Sequence, residues 1–269
     1  TNLPAAAVAD GLACALRDSH AAVVVAPPGA GKSTLLPLSL LRSYASGRIV
    51  MLEPRRIAAR QVAARMAALL GERVGERVGY QVRFERKVSA ATRIEVVTEG
   101  VLARRLADDP TLEGVSCVVF DEFHERSLQS DLTLCMVRQV RDVLRPDLDI
   151  VVMSATIDTA DLCRELGAKV VSCEGRMFPV SVVQAREDAP VIAIAEAVAA
   201  AVVSAHSRHE GDILAFLPGQ GDIERCAALL GDSLAPTRVC PLYGNMTMER
   251  QAEAIAPSPA GSRKVVLAT

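Results

Sequence analysis

The sequence predicts an α/β chain built on a parallel sheet flanked by helices. Three observations carry this. Short apolar runs recur along the 269 residues, and they are continuous rather than alternating, as in strands buried on both faces. Helical stretches lie between many of them. Polar or glycine-containing motifs close strand after strand, at the edge where open α/β sheets bind ligands.

In chain order, strands are expected at "AVVVAP" (22–27), "RIVMLEP" (48–54), "IEVVTEG" (94–100), "CVVFDE" (117–122), "DIVVMSAT" (149–156) and "KVVSCEG" (169–175). A helix is expected over 54–70: Pro54 suits a first turn, Ile57, Val62, Met66 and Leu69 form an apolar stripe, and Gly71 can end it. "EGRMFPV" (174–180) reads as a boundary, giving a first domain over 1–176 and a second over 177–269. The second begins with an Ala-rich helix at 192–206, then strands at "DILAFLPG" (212–219), "RVCPLYG" (238–244) and "KVVLAT" (264–269). Because the sequence stops on a strand, the second domain is expected to be truncated.

Composition narrows the class. Half of the residues are hydrophobic and the formal charge is -2, which argues against a strongly basic nucleic-acid protein. Lysine stands only at 32, 87, 169 and 264, so arginine carries the positive charge, with local groups at Arg55, Arg56, Arg60 and Arg65 and at Arg83, Arg86 and Lys87. Such a stripe can bind phosphates in a near-neutral chain, although a solvated helix face would look the same. Seven cysteines stand singly, without a C-x-x-C pair, which argues for buried thiols in a reducing cytoplasm and against zinc. No apolar run reaches the roughly 20 residues that span a membrane, and "TNLPAAAVAD" lacks the pattern of a secretory leader.

"APPGAGKST" (26–34) lies between a strand and a helix and approaches the phosphate-loop pattern G-x-x-x-x-G-K-[ST], with Ala26 where the first glycine belongs. Gly29 and Gly31 let the backbone curl so that its N–H groups face an anion. Gly29, Ala30, Gly31, Lys32, Ser33 and Thr34 are the expected ATP-binding residues, with Lys32 reaching the outer phosphates and Ser33 ligating Mg²⁺. "DEFHERS" (121–127) supplies the complement. Two adjacent carboxylates at a strand tip cost desolvation unless a cation meets them. Asp121 is expected to hold Mg²⁺, and Glu122 to orient and deprotonate the attacking water.

The ordered set "GAGKST", "PRR", "TEG", "DEFH", "SAT", "FLPGQGDI" and "PLYG" resembles the DEAH-box branch of superfamily 2 ATP-dependent helicases, in its bacterial HrpB-type form, over essentially the whole chain. The resemblance implies two RecA-like domains, the second incomplete, with ATP between them. It implies that His124 couples the nucleotide site to nucleic acid and joins Lys32 and Glu122 as a catalytic residue, and that Ser154 and Thr156 link hydrolysis to domain movement. Arg65 matches an arginine that stacks on the adenine, as a planar guanidinium can on any base. The opposing aromatic falls at Ile255, a departure that weakens that clamp. Nucleic-acid contacts map to Arg55 and Arg56, to Thr98 and Gly100, and to Arg83 and Phe84 in a hook turn. Phe84 reads equally well as a core residue.

The resemblance therefore implies an NTP hydrolase moving on single strands, in the cytoplasm, with RNA favoured over DNA. It also implies a continuation of motif V and a motif VI with phosphate-stabilising arginines; these 269 residues are expected to bind nucleotide, hydrolyse it weakly and unwind nothing. Two rival classes stay open: a nucleotide-gated remodelling protein without strand separation, and an NTPase independent of nucleic acid. The arginines of "PRR" argue against the latter.

Overall fold

A computed structural model describes residues 3–155, 159–173, 179–184, 193–231 and 233–269, apart from the side chain at 248. The chain forms two compact units, Thr1–Pro179 and Val180–Thr269.

The first unit starts with a 3₁₀ turn, Pro4–Val8, and continues α1 (Ala9–Ser19), β1 (Ala21–Val25), α2 (Lys32–Leu40), β2 (Arg48–Leu52), α3 (Arg56–Leu69), β3 (Val78–Val82), β4 (Glu85–Lys87) and β5 (Ile94–Val97). Then come α4 (Glu99–Asp108), β6 (Val115–Phe120), α5 (Leu128–Val143), β7 (Asp149–Ser154), α6 (Ala160–Leu166) and β8 (Lys169–Ser172). Its eight strands lie in the order β4-β3-β5-β2-β6-β7-β1-β8, and only the β3–β4 pair is antiparallel.

Alternate residues of the central strands feed two cores. Ala22, Val24, Met51, Val119 and Val151 pack with residues of α1, α2 and α3, such as Leu16, Leu36 and Met66. Val23, Val50, Phe120 and Val152 pack with residues of α4, α5 and α6, such as Leu102, Val137 and Leu166. Burial on both faces explains the unbroken apolar runs.

Several details depart from the sequence expectation; β8, expected as a buried strand, is an edge strand with only Val171 buried. The hairpin β3–β4 escapes notice because "VGYQV" and "ERK" are not apolar runs. Gly79 is required there, since a Cβ would stand 2.3 Å from the Lys87 carbonyl oxygen. In α3, the buried residues are Ala59, Ala63, Met66 and Ala67; Ile57 and Leu69 are only partly covered. Of the seven cysteines, Cys117, Cys173 and Cys226 are buried, but Cys14 and Cys135 are exposed.

The second unit contains α7 (Ile194–Arg208), β9 (Ile213–Phe216), α8 (Gln220–Leu230), β10 (Arg238–Leu242), α9 (Met248–Ile255) and β11 (Lys264–Ala268). Its parallel sheet has the order β10-β11-β9. All of β11 is buried, whereas β9 leaves Leu214 and Phe216 exposed, so burial on both faces holds for β11 and fails for β9. Among the described residues, no helix is long and apolar enough to cross a membrane.

One buried charge holds the flank of the first sheet. Glu95 on β5 is fully buried; its carboxylate accepts from Arg105 of α4 at 2.7 Å and stands 3.6 Å from Arg48 of β2. Removing one partner of such a pair leaves an uncompensated charge. We expect Arg105→Ala to cost about 3 kcal/mol in urea unfolding, and Glu95→Leu added to it to recover much of the loss.

Candidate functional site

The carboxyl edge of the first sheet gathers the motifs. After β1 the chain turns through Gly29 and Gly31, whose φ values of 78° and 88° are strained for any other residue. The loop is latched from behind: the Ala5 amide donates to the Ala30 carbonyl at 3.0 Å, and the Ala30 side chain is buried. Gly31 caps α2 without a side-chain hydrogen bond, so the first-turn amides and helix dipole favour an anion there. Ala26 explains its departure from glycine. It continues the strand, fully buried, with its amide donating to the Ser154 carbonyl at 3.1 Å, and no left-handed φ is asked of it.

Asp121 and Glu122 follow β6. The Asp121 amide donates to the Leu52 carbonyl at 2.9 Å, and one carboxylate oxygen, Oδ1, accepts the Glu122 amide at 2.9 Å. The Ser33 hydroxyl also bonds this carboxyl. The other oxygen, Oδ2, is buried without a hydrogen-bond partner. Burial pushes the Asp121 carboxyl up to about 6, against the lowering influence of Ser33. A buried carboxylate oxygen beside a hydroxyl fits Mg²⁺, a hard cation that takes few protein ligands and completes its shell with phosphate and water. Among the described residues, no group of three or more His, Cys, Asp or Glu is arranged to hold a metal by itself.

Glu122 adopts a left-handed backbone, φ 50° and ψ 34°. That turn lets its side chain serve a different partner from Asp121. Glu122 Oε1 lies 2.8 Å from the buried Lys32 Nζ, and Oε2 lies 3.4 Å from His124 Nε2. The Ala155 amide donates to His124 Nδ1 at 3.3 Å. A donor at Nδ1 puts the proton of a neutral ring on Nε2, which faces Glu122. Lys32, Glu122, His124 and Ala155 thus form one connected run. Ser154 precedes it, buried at the end of β7, while Thr156 lies outside the described residues.

Glu53 is a site residue that the sequence analysis missed. The register pairs Leu52 with Phe120, so the next residues, Glu53 and Asp121, follow neighbouring strand tips. Glu53 is buried; desolvation first, then the charges of Asp121, Glu122 and Glu125, push its carboxyl up to about 8. Its place directly before "PRR", at the same sheet edge, was the available signal.

Of the expected nucleic-acid residues, the structure brings four together. Arg83, Phe84, Thr98 and Gly100 line a cleft of about 740 Å³ with Arg104 and Arg105, which the motifs had not singled out. Phe84 is not a core residue: it is 90% exposed, at φ 67°, with the Arg83 guanidinium 4.7 Å from its ring. Arg55 and Arg56 stand exposed at the start of α3 and do not line that cleft. Arg55 reaches Glu125 at 2.8 Å. Arg65 is exposed further along α3, and Ile255 is half-exposed at the end of α9.

Comparison with known proteins identifies the family. Residues 9–163 match the family described as DEAD/DEAH box helicase. The chain is 47% identical, over its whole length, to the ATP-dependent RNA helicase HrpB of Escherichia coli, of which it covers 34%. It is 35% identical over 92% of its length to a probable ATP-dependent RNA helicase DHX35 homolog of Caenorhabditis elegans, covering 36% of that protein. Crystal structures of E. coli HrpB, described as a DEAH/RHA helicase and as a DExH-box NTPase, superpose with TM-scores of 0.88 and 0.79 at 46% identity, over 100% of this chain and 34% of each of theirs. The likeness confirms a RecA-like sheet. The chain spans about a third of the length of these relatives.

The raised Glu53 carboxyl sets a pH dependence. Its ordinary value of 4.5 holds in the unfolded chain, so between about pH 5 and pH 8 the folded state binds more protons. Stability then falls as pH rises through this window. Thermal melts without divalent metal should show that slope, and Glu53→Gln should flatten it above about pH 6, below which the raised Asp121 carboxyl adds a slope of the same sign.

Proposed function

We propose that this chain, which belongs to the DEAD/DEAH box helicase family, is the nucleotide-binding part of an ATP-dependent RNA helicase that hydrolyses NTP with Mg²⁺ and moves on single-stranded RNA in the bacterial cytoplasm. On this reading, residues 1–176 are the ATP-binding RecA-like domain and 177–269 part of a second. The observation that carries it is the run from the phosphate loop through Lys32, Glu122 and His124 to the backbone of "SAT". Phosphate binding, proton transfer and a strand end that can report movement are joined by direct contacts.

Gly29 to Thr34 wrap the phosphates, with the Ala30 and Thr34 amides bracing the loop through the Pro27 and Gly31 carbonyls. The Lys32 ammonium exchanges its partner, from Glu122 to the outer phosphates. Glu122, so released, orients a water and takes its proton. His124 holds Glu122 from one side and reads the Ala155 amide on the other. Ser33 and Asp121 would hold Mg²⁺, which neutralises phosphate charge when bound. Ser154 and Thr156 pass the state of the site to the rest of the protein. Arg65 stacks on the base. Arg55, Arg56, Arg83, Phe84, Thr98 and Gly100 hold the nucleic-acid backbone, so binding is tolerant of sequence and sensitive to salt. The cleft at Arg83 and Phe84 favours this reading over an NTPase independent of nucleic acid.

In the whole protein, single-stranded RNA should stimulate Mg²⁺-dependent ATP hydrolysis, and Lys32→Ala or Glu122→Gln should each lower the rate by about a hundredfold or more. Hydrolysis indifferent to RNA would overturn the assignment of the arginines. ATP and GTP should be turned over within about tenfold of each other, a gap of about 1.4 kcal/mol; a larger preference would remove the base-stacking role from Arg65.

A further inference from the structure

The turn after β6 is strained at both ends. Glu122 and Arg126 both have left-handed backbones, φ 50° and 49°, around the 3₁₀ turn Phe123–Glu125. Conformations of this kind persist only where the surroundings hold them. Three contacts do so besides those of Glu122 and His124. Phe123 is buried edge-on against Phe120, with ring centroids 6.2 Å apart. Arg126 pairs with Asp131 at 2.9 Å. Glu125 pairs with Arg55 at 2.8 Å.

These contacts differ in what can displace them. The first is buried, and the second closes on α5 within the same segment. The third joins the turn to a different motif, through a guanidinium whose side chain is 71% exposed. An exposed ion pair contributes little net stability. A nucleic-acid phosphate, with matching oxygen geometry, competes for a guanidinium on at least equal terms. The site also has an excess of carboxylates. Glu53, Asp121, Glu122 and Glu125 interact through space, against Lys32 on Glu122 and Arg55 on Glu125. The Arg55 amide also donates to Glu53 Oε1 at 3.5 Å, so Arg55 meets a carboxylate from each of the two strand ends.

We propose that Glu125 is a positioning residue that couples nucleic-acid occupancy to Glu122. Its carboxylate stands in for a phosphate on Arg55 and holds the turn in its resting geometry; a strand that takes the Arg55 guanidinium frees Glu125 and lets the turn bring Glu122 to the reacting water. This rests on the proposed function, and in particular on Arg55 as a nucleic-acid contact.

The test uses the whole protein, polyuridylate and ATP with Mg²⁺, with Glu125→Gln, Glu125→Asp, Arg55→Ala and the Arg55→Ala/Glu125→Gln pair. Glu125→Gln should bind polyuridylate about two- to fivefold more tightly, and its RNA-free hydrolysis should rise by about the same factor, in keeping with the small worth of an exposed ion pair. The ratio of RNA-saturated to RNA-free rates should fall accordingly. Glu125→Asp, which keeps the charge, should retain most of the ratio. Arg55→Ala should weaken RNA binding and raise RNA-free hydrolysis, with no further rise in the double variant. Normal stimulation with an unchanged ratio in Glu125→Gln, or additive effects in the double variant, overturns the coupling alone. RNA that fails to stimulate the unsubstituted protein, or binds Arg55→Ala undiminished, overturns the reading beneath it.

Discussion

Carboxylates crowd the carboxyl edge of the first sheet because of one register. Pairing of Leu52 with Phe120 sends β2 and β6 out of the sheet together, so Glu53 and Asp121 emerge on adjacent strands and are both buried. Glu122 and Glu125 follow within the same turn. Burying one ionised carboxylate without a partner costs several kcal/mol. The protein answers in two ways. It brings Lys32 and Arg55 against Glu122 and Glu125, and it raises the carboxyls of Glu53 and Asp121 toward the protonated form. Both answers leave the site short of positive charge, which on the proposed reading a metal-bound nucleotide would supply.

The rest of the edge is arranged around that shortage. β1 ends two strands from β6 in the sheet, with β7 between, so the loop after β1 and the turn after β6 face each other across the end of β7. Lys32 spans this gap to Glu122, and His124 touches the backbone just beyond β7. Three strand ends thereby share one set of polar contacts. The left-handed backbone at Glu122, of the kind that costs about 1–3 kcal/mol, is held by these contacts.

Much of this was legible in the sequence, for a physical reason. Strands buried on both faces cannot hide their apolar runs, and a phosphate loop cannot form without its glycines, so β1, β2, β5, β6 and β7 and the residues from Gly29 to Asp121 were visible. The hairpin β3–β4 was not, because its stability comes from pairing and the close approach at Gly79 rather than from an apolar pattern. In α3 the alanines rather than the larger Ile57 and Leu69 turned out to be buried, since close helix–sheet packing favours small side chains. Glu53 was overlooked because its importance depends on which strand neighbours β2, and sheet order is not written in local sequence. The same holds for the Arg55–Glu125 bridge, whose members lie in different motifs.

On the proposed reading, Ser33 and Asp121 would hold the metal that accompanies a nucleotide to this edge. The most direct test is the affinity of a fluorescent ADP with and without Mg²⁺, for the unsubstituted chain and for Asp121→Asn. Mg²⁺ should tighten binding to the unsubstituted chain by about tenfold or more, about 1.4 kcal/mol. Asp121→Asn should lose this gain while binding metal-free nucleotide at least as well, because a buried carboxylate no longer repels the phosphates. An equal effect of Mg²⁺ on both proteins would contradict that reading.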